Sequence, residues 1–239
     1  ESLKIIRRTD SNSPPPTLAE LMQHAGALPS LPEIVQHLIR SLENEDADVD
    51  TLVFQINTDP VIVARLLGAA NSSATGLSTR VESARQAFLV LGVDRVVNII
   101  LATSLLHRYD AKQGEFDARQ LWKHTLAVAT CARVVAEHCR IDAELAFTAG
   151  LLHDIGQLLM FAAAPQHYLH ALELCKTEDL TILEAEQRIF DFDHAVAGSL
   201  LAQDWQLPGE IADAIAAHHD PEAHGNGNGS QLGDLIHIS

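Results

Sequence analysis

Several things are scarce in this sequence, and each scarcity excludes a class of protein. Cysteine occurs only as Cys131, Cys139 and Cys175, an odd number with no CxxC pair. That is no disulfide framework, and the expected setting is a reducing cytoplasm. Basic residues are outnumbered, with 16 Lys and Arg against 32 Asp and Glu and a formal net charge of −16. A chain this acidic repels a polyanion unless a local basic patch overrides the balance. Only Arg7 and Arg8 stand side by side, so duplex nucleic acid is not an expected partner. Aromatics make up 5%, and 13 glycines and 9 prolines in 239 residues fall below the ordinary share of about 12%. Collagen-like and low-complexity chains are thereby excluded. Long apolar runs are missing too. Residues 96–106 are the longest, broken by Asn98 and Thr103-Ser104, and fall short of the ~18–20 residues of a membrane span. The first ten residues lack the apolar segment of a signal peptide. The first residue is Glu1 rather than Met, which reads as a fragment or a processed chain.

Apolar residues reach 47%, enough for one large buried core or two small ones. Residues 1–17, closing on Pro14-Pro15-Pro16, read as a flexible linker or tail. From Leu18 onward the pattern is helical. Ile34, Leu38, Ile39 and Leu42 recur at helical spacing; Asp50 caps a segment through Val53 and Ile56. Asp59-Pro60 is a strong helix start, with Val63, Leu66, Leu67 and Ala70 as its buried stripe. Ser83 opens a helix to Leu91, Gly92 turns the chain, and an apolar helix follows to Leu106. Asp117 and Asp142 start the next two helices, the second running to Leu152 and into His153-Asp154. Further helices fit 165–176, 181–190, 195–204 and 208–219, and Gly225 to Ser230 reads as a flexible loop. No stretch alternates with period two and no turn signal marks a hairpin. The expected fold is all-α with two helical lobes, 18–110 and 111–239, the second ending within its last helix.

Thirteen histidines are unusual in 239 residues, and most lie in the second half. Six residues carry the candidate chemistry: His124, His153, Asp154, His194, His218 and His219. Imidazole and carboxylate are natural ligands for Mn, Fe, Ni or Zn, and a carboxylate can bridge two ions. Two such ions about 3.5–4 Å apart polarise a phosphate and supply hydroxide for in-line attack. Each residue also has a plainer reading. His124 suits a hydrogen-bonded core histidine, His218-His219 complement a helix C-terminus, and His194 lies near a helix start. Asp154 resists such a reading, because a carboxylate in the apolar run 149–156 is buried and needs a cation or strong hydrogen bonds. The remaining histidines, His237 among them, read as surface or core. The N-terminal lobe offers no acid–base pair or phosphate loop. Its helix–Gly–helix at 83–106 carries only Arg85, Asp94 and Arg95, too few charges for a DNA-recognition helix.

The run Gly150-Leu151-Leu152-His153-Asp154-Ile155-Gly156 resembles the signature of the HD superfamily of metal-dependent phosphohydrolases. The segments Leu28-Pro29-Ser30-Leu31-Pro32, Asp59-Pro60, Ala70-Asn71-Ser72, Leu91-Gly92 and Leu121-Trp122-Lys123-His124 narrow the resemblance to the HDOD family, the HD-related output domains. Asp193-His194, Trp205 to Pro208 and His218-His219 extend it over about residues 20–239. The resemblance implies a bacterial, cytoplasmic, all-helical signalling module, commonly joined to receiver, diguanylate cyclase (GGDEF-type) or phosphodiesterase domains and generally regarded as regulatory.

Against the catalytic HD-GYP relatives, which cleave cyclic-di-GMP, the six residues match the metal ligands. Three features depart: Gln120 replaces a glutamate, Gln157 replaces the lysine after the HD-I-G run, and Asp220-Pro221 with a glycine–asparagine stretch replaces the GYP loop. The resemblance also places a further aspartate ligand one residue past Ser239. Metal ligands kept and substrate-contacting groups lost point to a regulatory, non-catalytic module. Such a module binds a signalling protein or a small ligand, for which a nucleotide second messenger is one option. The alternative is a working metal-dependent phosphohydrolase or nucleotide phosphodiesterase, with His153 and Asp154 as its catalytic candidates. In that case the loss of one phosphate-stabilising cation removes several kcal/mol of transition-state stabilisation.

Overall fold

The computed structural model describes residues 14–23, 53–54, 56–57, 60–72, 75–76, 80–108, 112–113, 116–221 and 228–237. The expected helix over 31–42, most of the N-terminal tail and Gly225 to Gly227 lie outside them. The chain divides into two compact units, residues 31–107 and a second comprising 1–30 with 108–239.

In the first unit, α2 (Pro60–Ala70) packs on α3 (Ala84–Leu91), and α4 (Val93–Arg108) follows. Ser83 caps α3 by accepting from the Gln86 N–H at 3.2 Å. Gly92 ends that helix at φ 78, a left-handed turn that glycine adopts without strain. The buried stripe of α2 is Ile62, Leu66 and Ala70. Val63 and Leu67, expected in that stripe, are only half buried, so the inward face is turned one position toward Ile62.

The second unit carries the site. α1 (Leu18–Gln23) falls within 18–110 by sequence but packs in this unit, against α7 (Ile155–Ala163) and α10 (His194–Asp204). A two-residue antiparallel ladder, β1 (Lys112–Gln113) with β2 (Phe116–Asp117), precedes α5 (Ala118–Cys139). Two residues are too few for alternation to register, so the sequence pattern gives no sign of it. Asp117 caps α5 through the Arg119 and Gln120 N–H groups, and Asp142 caps α6 (Ala143–Leu152) through those of Glu144 and Leu145. After α7 come α8 (Pro165–Thr177), α9 (Ile182–Phe190), α10, α11 (Gly209–Ala217) and α12 (Asn228–His237). Thr181 and Glu184 form a reciprocal capping box at the start of α9.

Two helices depart from the sequence reading. The separate helix α7 was not anticipated, because 143–163 is apolar on every face and its periodicity carries no break. By length and composition this stretch could cross a membrane, yet 83% of its most apolar window is buried in the fold. The second departure is α12, which begins at Asn228, inside the stretch expected to be a flexible loop. Packing of Gly233 against Ala217 at the α11–α12 crossing overrides the weak helix propensity of asparagine and glycine.

Candidate metal centre

The six residues singled out by sequence converge in the second unit. His124 comes from the second turn of α5, His153 ends α6, and Asp154 stands at the N-cap position of α7. His194 is the first residue of α10, while His218 ends α11 and His219 follows it. Asp154 has the residue type and place of a helix cap but makes no capping hydrogen bond. Its carboxylate turns to the histidines instead. Oδ2 lies 3.3 Å from His153 Nε2 and 3.7 Å from His124 Nε2; Oδ1 lies 3.1 Å from His194 Nε2 and 3.8 Å from His218 Nε2.

Gly156 makes this convergence possible. A Cβ at this position would sit 2.0 Å from the His194 carbonyl oxygen and 2.8 Å from the Gly198 nitrogen. Only a bare α-carbon lets α7 and α10 cross closely enough for Asp154 and His194 to meet. Gly150 does the same for α6 against α5, where a Cβ would fall 2.8 Å from the Ala129 α-carbon.

The ring orientations are set from behind. His153 Nδ1 lies 2.7 Å from the Gly150 carbonyl and His218 Nδ1 lies 2.6 Å from the Ile215 carbonyl. A carbonyl only accepts, so both rings carry a proton on Nδ1 and turn a lone pair at Nε2 toward Asp154 when neutral. His194 Nδ1 lies 2.6 Å from Glu186 Oε2. His219 Nε2 and His194 Nε2 face each other at 2.9 Å. His218 Nε2 is buried and has no hydrogen-bond partner. Lone pairs of this kind, aimed at one carboxylate in a dry interior, repel unless a proton or a cation lies between them.

The electrostatics tell the same story. Burial alone would raise the Asp154 carboxyl, but His153 and His194 beside it hold it well below the ordinary carboxylate range. Burial opposes charge on His194 as well, yet hydrogen bonds to Asp154 and Glu186 raise it to about 10. Burial, then the neighbouring His153, His219 and His194, lower His218 to about 3; burial and His194 lower His219 to about 4. A proton on His194, held between Asp154 and Glu186, thus offsets part of the negative charge buried here.

The donors fit a metal. Asp154, His194, His218 and His219 offer ligand atoms all within 4.8 Å of one another, and His124, His153 and Asp154 form a second such group. Asp154 belongs to both, one oxygen on each side, which is the arrangement of a bridging carboxylate. His124 is not the core histidine its apolar neighbours suggest: 56% of its side chain is exposed, at the rim of the site.

A cleft of about 420 Å³ opens over the cluster. Phe116, Leu121, Leu172 and Ile182 give it apolar walls, and Gln120, Gln157 and Asp117 supply its other polar groups. Among the described residues its lining includes no lysine or arginine. Gln157, where HD-GYP relatives carry lysine, lies 3.1 Å from the Tyr168 hydroxyl. Few aromatics are present in the chain, but three gather here: Phe116 stacks on Phe161 at 4.1 Å, and Tyr168 meets Phe116 edge-on at 5.7 Å.

Two residues were not singled out by sequence. Glu186 is fully buried and bonds both the backbone N–H and the ring of His194. Its signal was its place four residues from Ile182 and from Phe190, on the inward stripe of α9. His237, read as surface or core, sets Nδ1 2.9 Å from the His218 carbonyl and ties α12 to the site.

A helical unit that gathers four further histidines around an adjacent His-Asp pair is a domain of the HD kind. The chain belongs to the HDOD domain family, whose sequence profile matches residues 28–221. It is similar to a solved candidate phosphohydrolase of Shewanella amazonensis, 27% identical, with a TM-score of 0.74 over 92% of this chain and 78% of the other. It is equally similar to a solved HDOD domain protein of unknown function from Geobacter sulfurreducens, also 27% identical, with a TM-score of 0.74 over 92% and 74% of the two chains. Among curated sequences, an uncharacterized protein of Treponema pallidum is 24% identical over 84% of this chain and 39% of its own length. Ribonuclease Y of Thermus thermophilus is 33% identical over 100 residues, 42% of this chain and 13% of that enzyme. The chain therefore spans well under half the length of these curated relatives.

Proposed function

We propose that this chain is a regulatory output module that holds one or two divalent first-row ions and does not hydrolyse phosphoesters. The carrying observation is the cleft above the cluster, whose described lining has no lysine or arginine to grip a phosphate. Phosphoryl transfer depends on positive groups placed where charge develops. Here Gln157 is neutral and Asp117 adds negative charge. His124, His153, Asp154, His194, His218 and His219 would hold Mn, Fe, Ni or Zn. Bound there, a divalent ion would neutralise Asp154 and act as a Lewis acid toward a cleft ligand.

With a net charge of −16, the module suits signalling proteins with basic patches, including attached receiver or GGDEF-type domains. A nucleotide second messenger in the cleft is the small-ligand form of the same reading. Three unpaired cysteines, two of them exposed, suit a reducing cytoplasm.

The second reading, a metal-dependent phosphohydrolase or phosphodiesterase, is favoured by the two donor groups that share Asp154. The test is an assay of the Mn(II)- and Fe(II)-loaded chain against bis-p-nitrophenyl phosphate, cyclic-di-GMP and single-stranded RNA. No turnover above the metal-only background is expected. Turnover that disappears in Asp154→Asn would establish the hydrolase instead.

A further inference from the structure

His194 faces a difficulty that His153 and His218 do not. Those two lie at helix C-termini, where backbone carbonyls lack intrahelical partners and can take a ring proton. Each uses the carbonyl three residues back. His194 begins α10, and a helix N-terminus presents unpaired N–H groups instead. Its ring therefore needs an acceptor from another element.

Glu186 on α9 supplies it. Oε2 accepts the His194 backbone N–H at 2.9 Å and the Nδ1 proton at 2.6 Å. Oε1 lies 3.1 Å from the Tyr168 hydroxyl. A fully buried carboxylate is costly to maintain unless donors surround it, and three do so here. Tyr168 has one hydroxyl proton and two neighbours, Glu186 Oε1 and the Gln157 amide, each at 3.1 Å. A carboxylate only accepts, so the proton goes to Glu186 and the Gln157 amide turns its NH₂ toward the tyrosine oxygen. The result is a directed chain from Gln157 in the cleft through Tyr168 and Glu186 to His194.

We propose that Glu186 is a positioning residue of the metal centre, holding His194 with Nε2 directed at Asp154, and that Tyr168 and Gln157 hold Glu186 in turn. The proposal rests on the metal-binding reading above. Its test is Co(II) titration of the whole chain, recording affinity and visible ligand-field bands together. Glu186→Ala is expected to weaken Co(II) binding by about 10–100-fold and to shift the bands. Glu186→Gln keeps an acceptor at the same reach and should preserve the band positions. Glu186→Asp keeps the charge but withdraws the acceptor, and should shift them. Tyr168→Phe should weaken binding only a few-fold.

Unchanged affinity and bands in Glu186→Ala would overturn the proposal. Should that variant fail to fold, the Gln and Asp variants decide. Weaker binding with shifted bands in Asp alone supports positioning, and equal affinity in the two overturns it. Failure of the unsubstituted chain to bind Co(II) would instead overturn the metal reading itself, and this proposal with it.

Discussion

Helix ends of opposite polarity build this site. At the C-termini of α6 and α11 the backbone offers carbonyls, and His153 and His218 are oriented by their own helices. At the N-terminus of α10 the backbone offers only N–H groups, and His194 is oriented by a carboxylate from α9. Backbone orientation is local and comes with the helix. Side-chain orientation requires α9 and α10 to be correctly placed and a charge to be buried between them. The N-terminal histidine is therefore the more costly ligand to maintain and the more sensitive to its surroundings.

The largest effect should come from closing the space in which the helix ends meet. Gly156→Ala forces a Cβ against the His194 carbonyl, and is expected to cost about 3 kcal/mol or more in urea unfolding and to abolish metal retention. A fully stable Gly156→Ala protein would show that α7 and α10 need not cross so closely.

Next comes the polarity contrast itself, measured on metal-free protein. His194→Ala strands a buried Glu186 and should cost about 3 kcal/mol. His218→Ala frees only a carbonyl and should cost about 1 kcal/mol. Equal losses would erase the distinction between the two kinds of helix end.

Protons sharpen the comparison further. In the metal-free fold His194 is held protonated up to about pH 10, while His218 and His219 lose their protons at about 3 and 4. A metal that takes His194 Nε2 near pH 7 must therefore displace its proton. Calorimetry in buffers of different ionisation enthalpy should detect at least one proton released, with affinity rising as pH is raised from 6 toward 9. Affinity independent of pH over that range would contradict the charge assigned to His194.

The smallest effect on stability should be at the rim. His124 is largely exposed, so His124→Ala should leave unfolding free energy within about 0.5 kcal/mol while lowering metal occupancy. A large stability loss there would return His124 to the core.

Much of this architecture was legible because helix starts announce themselves chemically. Ser83, Asp117, Asp142 and Thr181 all cap the helices their positions suggested. Asp154 was legible for the opposite reason, a carboxylate with no business in an apolar run unless something cationic met it. What escaped was set by tertiary packing. α7 has no polar face to give it a period, and α12 starts among asparagine and glycine because its contacts with α11 are good enough. Glu186 escaped because a glutamate in a helix ordinarily faces water, and its partner lies eight residues on, in the next helix.

The most direct test of the metal centre is elemental analysis by plasma mass spectrometry. The chain should be purified without chelator or polyhistidine tag and compared with His153→Ala/Asp154→Ala. One to two equivalents of Mn, Fe, Ni or Zn in the unsubstituted chain, lost in the double variant, is the predicted result. Less than about a tenth of an equivalent after incubation with these ions, or equal content in both proteins, would contradict it.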